Sequence, residues 1–284
     1  MTRTLGYRRY GQKGTPMNKN IDEITKKLEE GVKAVFESDR YKAYLDFMGK
    51  FYDYSANNCA LIYMQKPDAT LVAGYNTWLN KLKRQVRKGE KAIKILAPMP
   101  HKKDVTDDDG NVEEVRWTTF RAVNVFDISQ TDGDEVPNIL TKLTGGYEDY
   151  ESVLKGLKSV AGVPITIEPI NGAANGFFSP SEAKIVLKEG LSEAQTIKTA
   201  VHEVAHSILH KKDGEEEQAS RNTKEVQAES VAYIVCNWLG LDTAEYSFGY
   251  VAGWSKDKEA KELLECADVI KKTARQIIDG LKAA

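Results

Sequence analysis

Ser192-Glu193-Ala194-Gln195-Thr196-Ile197-Lys198-Thr199-Ala200-Val201-His202-Glu203-Val204-Ala205-His206-Ser207-Ile208-Leu209-His210 is the stretch that decides the fold of this chain. Its centre, HEVAH, uses two of the only four histidines. Ser192 followed by Glu193 and Ala194 reads as a helix start. The periodic apolar residues Ala200, Val201, Val204, Ala205, Ile208 and Leu209 carry the helix to about His210. Positions i and i+4 share one helix face, so His202 and His206 can turn their imidazoles toward one zinc ion. Glu203 then stands beside them to take a proton from water. The histidine face overlaps the apolar one. Burying two imidazoles among alanine and valine is costly unless something binds them, and a metal ion answers that cost.

His210 is two turns from His202, roughly 12 Å of axial rise. Zinc–nitrogen bonds of about 2.1 Å exclude it as the third ligand on a straight helix. The third ligand must come from another element. The next helical segment, residues 223–239, offers Glu225 and Glu229 on a face beside the apolar stripe of Ala228, Ala232, Val235 and Leu239. Two histidines and a carboxylate favour zinc over magnesium or calcium.

Length and composition frame this site. At 284 residues the chain suits two domains, each able to bury its own core. A hydrophobic content of 41% and a charged content of 29% describe an ordinary globular protein. The net charge of −2 argues against an acidic mimic of DNA. Cys59, Cys236 and Cys266 are scattered and form no CxxC pair, which fits reduced thiols in a cytoplasm. No segment approaches the ~20 apolar residues of a membrane span. Residues 1–19 are polar and basic, lack the apolar centre of a signal peptide, and read as a flexible tail in which Met17 is an alternative start.

The expected architecture is α+β. Helices are predicted over residues 20–36, 39–50, 55–66 and 75–83. Strands over 91–98 and 114–128 follow, joined through the acidic turn Asp107-Asp108-Asp109-Gly110-Asn111. Together these form an N-terminal helical domain with a small antiparallel hairpin, residues 20–130. Glycine, proline and threonine break any period over residues 131–146, which reads as a linker. The second domain, residues 147–284, holds a helix over 147–161 and a strand over 165–169. A hairpin pairs 176–179 with 184–188 around Pro180-Ser181-Glu182. The HEVAH helix, the glutamate helix and a long helix over 256–281 complete it.

The first domain carries a strong charge asymmetry. Lys81, Lys83, Arg84, Arg87, Lys88, Lys91, Lys94, Lys102 and Lys103 are opposed only by Glu90. Tyr75 and Trp78 precede this run, and Trp117 and Phe120 follow it. Single-strand binding needs such a set: each base stacks on a ring for ~1–3 kcal/mol while cations follow the phosphates. Taken alone, the run fits a solvated basic hairpin whose aromatics lie in the core better than it fits a nucleic-acid groove.

Two resemblances add to this reading. HEVAH followed by Glu225-Val226-Gln227-Ala228-Glu229 resembles the gluzincin peptidases, and a small sheet on an HExxH helix resembles a minimal zincin. That likeness implies Glu225 as metal ligand and Glu229 as the partner that hydrogen-bonds a ligand histidine. Glu229 stands where aspartate is usual, so its longer side chain leaves the reverse assignment open. It also makes Tyr250 a candidate oxyanion stabiliser, against the alternative of a core tyrosine.

The second resemblance covers Ser55-Ala56-Asn57-Asn58, Leu61-Ile62, Gln65-Lys66-Pro67-Asp68-Ala69 and Gly74-Tyr75-Asn76-Thr77-Trp78. It continues through Val86-Arg87-Lys88-Gly89-Glu90-Lys91-Ala92-Ile93 and Val125-Phe126-Asp127-Ile128-Ser129-Gln130-Thr131. These resemble, in order, the N-terminal domain of ArdC-type antirestriction proteins, with one departure: Lys83 stands where glycine is expected. Residues 246–255 are similar to ImmA/IrrE metallopeptidases. The resemblance implies a protein of conjugative elements that binds single-stranded DNA and carries a zinc peptidase site for an unknown protein substrate. Two alternatives stay open. One is a DNA-binding protection protein with a structural metal; the other is a repressor-cleaving peptidase whose basic run docks a partner.

Overall fold

The computed structural model describes residues 19–36, 38–51, 53–106, 112–136, 150–214 and 216–284. The basic tail up to residue 18, the acidic turn at 107–111 and residues 137–146 of the expected linker lie outside them. Helices and small sheets mix in one α+β architecture. Three helices open the chain, α1 (Lys19–Val35), α2 (Ser38–Lys50) and α3 (Ala56–Gln65). Then come β1 (Val72–Gly74), α4 (Tyr75–Asn80), β2 (Arg84–Val86) and a long hairpin of β3 (Ile93–Thr106) and β4 (Val112–Asp127). A 3-10 turn at Ile128–Gln130 leads into β5 (Thr131–Gly133). The second half holds α5 (Tyr150–Ala161), β6 (Ile165–Glu168), β7 (Gly176–Ser179) and β8 (Lys184–Lys188). The helices α6 (Glu193–Leu209), α7 (Arg221–Trp238), α8 (Gly249–Ser255) and α9 (Ala260–Ala283) follow.

The sheets are small. β1, β4 and β3 form one antiparallel sheet in that order, and β2 pairs antiparallel with β5. In the third sheet β8 lies centrally, parallel to β6 and antiparallel to β7. The hairpin around Pro180-Ser181-Glu182 has the expected ends. β5 was expected to be linker; it is a strand because Arg84 reaches across to it. The Arg84 guanidinium donates to Thr131 Oγ1 at 2.7 Å, Thr131 O at 2.8 Å and Gly133 O at 3.0 Å. A Cβ on Gly133 would lie 2.5 Å from Lys83 O, so the two strands close only over glycine. Lys83 itself sits at φ +55, the left-handed region that glycine enters at least cost.

Several polar residues of the N-terminal motifs are scaffolding. Asn58 exchanges two hydrogen bonds with the Leu96 backbone, both 2.9 Å, and Gln65 does the same with Lys94 at 2.8 and 2.9 Å. Both amides lie on α3 and occupy the outer edge of β3. Pro98 and Pro100 continue the same outward alternation and carry no N–H. Asp127 is buried and accepts from the backbone N–H of Thr70, Leu71 and Ser129 at 2.7, 3.0 and 2.9 Å. Gln130 accepts from Asp127 N at 2.9 Å and donates to Lys91 O at 2.9 Å.

The two expected domains share one continuous core. α1 and α3 pack on α9, and α2 packs on α7. Tyr41 Oη and Ser230 Oγ lie 2.7 Å apart in the buried seam, and Tyr233 donates to Asp46 at 2.6 Å. Lys271 of α9, itself buried, donates to Met48 O at 2.9 Å and Phe51 O at 2.8 Å. Met48 O is among the last carbonyls of α2, which lack a partner further along the helix, while Phe51 O also accepts from Tyr54 N at 3.1 Å. Lys271→Met removes the buried donor to Met48 O, at a cost of roughly 1–3 kcal/mol. Urea unfolding of the full chain is expected to show that loss; an unchanged midpoint would mean the ammonium adds nothing net to the seam.

Candidate metal centre

Ser192 caps α6 by accepting from Gln195 N at 3.3 Å, and Ser220 caps α7 from Thr223 N at 3.2 Å. These caps set the phase of two packed helices. His202 and His206 then lie one turn apart with their Nε2 atoms 3.1 Å from each other. Glu225 of α7 brings Oε2 to 3.7 Å from His202 Nε2 and 3.8 Å from His206 Nε2. Among the described residues these three form one cluster with ligand atoms within 4.8 Å. Zinc with bonds of about 2.1 Å holds tetrahedral ligands roughly 3.4 Å apart, so this triangle needs only small adjustments to close on an ion. Two nitrogens and one carboxylate oxygen leave an open position, the donor pattern of a catalytic rather than a closed structural site.

The carboxylates differ in environment. Proximity of the His206 imidazole, short of an ordinary hydrogen bond at 3.8 Å, is the main influence holding Glu225 below the usual carboxylate range. Burial pushes Glu203 up, against the pull of His206 and of a hydrogen bond from the Phe178 backbone. Burial and the Glu225 charge together push Glu229 up. Glu229 lines a cleft of about 270 Å³ with His202, Glu203 and Gly176, one turn from Glu225, and does not join the ligand triangle. A Cβ on Gly176 would meet Thr199 Cγ2 at 2.7 Å, so glycine there lets β7 approach α6. Burial pulls His202 down to about 4, which keeps a lone pair available to a metal at neutral pH. Tyr250 is partly exposed on α8; burial of its hydroxyl, then the charges of Glu229 and Glu225, keep the phenol protonated.

The basic run is divided by its surroundings. Lys81, Lys83, Lys88, Lys91 and Lys94 are exposed, as is Tyr75. Arg84 spends its guanidinium on β5, as described. Arg87 bonds Glu90 Oε1 at 2.8 Å and Asp132 Oδ1 at 3.2 Å. Trp78 corrects the sequence expectation: it is fully buried and donates to Phe126 O at 2.8 Å, so its ring offers no face to a base. The available rings are Tyr75, Phe120 and Trp117, the last stacked on His101 across the hairpin with centroids 5.3 Å apart.

Residues 16–126 match the family model described as the N-terminal domain of anti-restriction factor ArdC. Residues 159–247 match the M78 peptidase model, described as an IrrE N-terminal-like domain. The chain joins an ArdC N-terminal domain to an IrrE-like one. It is 30% identical over 253 residues to an uncharacterised protein of Bacillus anthracis, spanning 75% of this chain and 42% of that protein. The chain thus covers less than half the length of that relative. Among solved structures it is similar to the antirestriction protein ArdC of plasmid R388. The metal-free form has TM-score 0.53 at 19% identity, covering 81% of this chain and 86% of that one. The Mn(II)-bound form has TM-score 0.52 at 20% identity, covering 80% and 85%. At these identities the likeness is one of fold. Among the described residues of this ArdC-like chain, no helix is long and apolar enough to cross a membrane.

The IrrE-like domain also holds a polar chain that helix spacing alone did not reveal. His210, outside the ligand triangle, is buried with Nδ1 2.8 Å from His206 Nδ1. Its Nε2 lies 2.9 Å from Gln227 Oε1, and Gln227 Nε2 donates to Glu216 Oε2 at 2.9 Å. His210, rather than Glu229, therefore partners His206 behind the ligand face. Glu225→Gln is expected to abolish stoichiometric binding of Zn²⁺ and Mn²⁺, while Glu229→Gln leaves it intact. Metal content after equilibrium dialysis measures both; the opposite pattern would transfer the ligand role to Glu229.

Proposed function

We propose that this chain is an antirestriction-type protein of mobile elements that binds single-stranded DNA and hydrolyses peptide bonds at a divalent metal. The convergence of His202, His206 and Glu225, with Glu203 alongside, carries the peptidase half. The matches to the ArdC and M78 models support this reading. Zinc suits the donor set, and manganese, present in the R388 protein, accepts the same nitrogen and oxygen ligands. When bound, the metal supplies Lewis acidity that polarises a carbonyl and acidifies water.

The residues divide the remaining work. His202, His206 and Glu225 fix the ion. Glu203, its carboxyl raised by burial, takes a proton from the attacking water and returns it to the leaving amine. Tyr250, kept protonated, donates to the oxygen that gains charge. β7 is an edge strand beside the cleft, so an extended peptide can align along it. Glu203→Gln should keep the metal and lose protection of unmodified DNA entering a restricting host. Protection that survives in this variant favours the alternative in which the metal is structural.

The DNA half rests on the exposed lysines of the ArdC domain and on the Tyr75, Trp117 and Phe120 rings. Full-length protein is expected to bind single-stranded oligonucleotides more tightly than duplex, with affinity falling steeply as salt rises. Trp117→Ala should weaken single-strand binding about 5- to 150-fold, the equivalent of ~1–3 kcal/mol of stacking. Fluorescence anisotropy at two salt concentrations tests this. Absence of binding at low salt would leave a regulatory peptidase as the better reading.

A further inference from the structure

The polar chain behind His206 has a direction that can be read atom by atom. A carboxylate accepts and never donates. Glu216 therefore draws the Gln227 amide nitrogen toward itself, 2.9 Å away, and turns Gln227 Oε1 toward His210. An amide oxygen accepts only, so His210 Nε2 must carry the proton of that 2.9 Å bond. A neutral imidazole has one N–H, which leaves His210 Nδ1 as an acceptor. Its 2.8 Å contact with His206 Nδ1 then requires that His206 donate from Nδ1. The remaining nitrogen of His206, Nε2, is left with a bare lone pair. That atom is the one facing His202 Nε2 at 3.1 Å and Glu225 Oε2 at 3.8 Å.

We propose that Glu216, Gln227 and His210 are positioning residues that set the tautomer of His206, so that its Nε2 is ready for a metal before the ion arrives. This rests on the reading of His206 as a ligand. Each link is fixed by the one behind it, and the first is a carboxylate three contacts away from the ligand it governs. Burial of His210 keeps water from supplying a substitute acceptor. Partners behind metal-bound histidines commonly govern affinity about 10- to 100-fold.

The chain can be reversed from its far end. In Glu216→Lys the new ammonium only donates, so Gln227 must turn its oxygen outward and its amide nitrogen toward His210. His210 then holds its proton on Nδ1 and donates to His206, whose own proton moves to Nε2 and blocks the ligand position. Nitrogen-15 NMR of the metal-free full-length protein should report His206 protonated on Nδ1 in the parent and on Nε2 in Glu216→Lys. Competition with a chromogenic chelator should show Zn²⁺ and Mn²⁺ affinity lowered 10- to 100-fold in Glu216→Lys and in Gln227→Met. The exchange Glu216→Gln with Gln227→Glu reverses the outer bond but still offers His210 Nε2 an acceptor, so both inner bonds keep their direction and affinity should be restored. Glu216 is only partly buried, so its variant keeps the test available if Gln227→Met fails to fold. Parent-like tautomer and affinity in Glu216→Lys would overturn the relay, provided His206→Ala abolishes metal binding. Unaltered binding in His206→Ala would instead overturn the metal centre itself.

Discussion

The contact between α6 and α7 is the constraint on which the rest of the structure depends. Ala200, Val201, Val204 and Ala205 on α6, and Val226, Ala228, Val231 and Ala232 on α7, are fully buried. Small and β-branched side chains let two helices approach closely, and their rotamers leave little room for sliding. That closeness brings Glu225 within 4 Å of two histidines on another helix, and it brings Gln227 into register with His210. A slip of one residue along α7 would rotate Glu225 about 100° from the histidines. The Ser192 and Ser220 caps matter for the same reason: they fix where each helix begins, hence which face each side chain occupies.

α7 is also the joint between the two halves of the chain. One stretch, near its N-terminus, supplies Glu225 and Gln227 to the metal region. Another supplies Ser230, Tyr233 and Asn237 to α2, where Tyr41 and Asp46 receive them. Lys271 adds a third tie from α9 to the end of α2. A linker in the sequence therefore does not mean loosely tethered domains here, since the shared core closes over both.

What the sequence made legible was local. The serine cap, the HEVAH spacing, the hairpin at Pro180-Ser181-Glu182 and the acid on the next helix follow from periodicity and capping within short windows. What it hid depends on distant partners. Trp78 and Tyr75 look alike as aromatics beside lysines, yet Trp78 finds Phe126 O and the core while Tyr75 stays outside. Arg84 and Lys83 are equal in charge, but only the guanidinium spans to Thr131 and Gly133 and so makes a strand of an apparent linker. The rise along α6 excludes His210 as a ligand, but only the direction of its Nδ1 shows what it does instead.

The edge of β3 illustrates how motif residues shape the outer surface indirectly. Lys94 and Leu96 point their backbone groups outward, and the Gln65 and Asn58 amides answer them from α3. Pro98 and Pro100 take the next two outward positions and have no N–H to offer. An unpaired edge strand invites pairing with other chains; here amides and then prolines close it over four alternate residues. The hairpin beyond is left with its two faces, Trp117 and His101 on one and Phe120 on the other by the alternation of the strands. Over residues 94–100 a ligand must therefore be met by side chains rather than by backbone pairing along that edge. Rings and cations are what those faces present, which is why the same residues that hold the scaffold also define what the scaffold can bind.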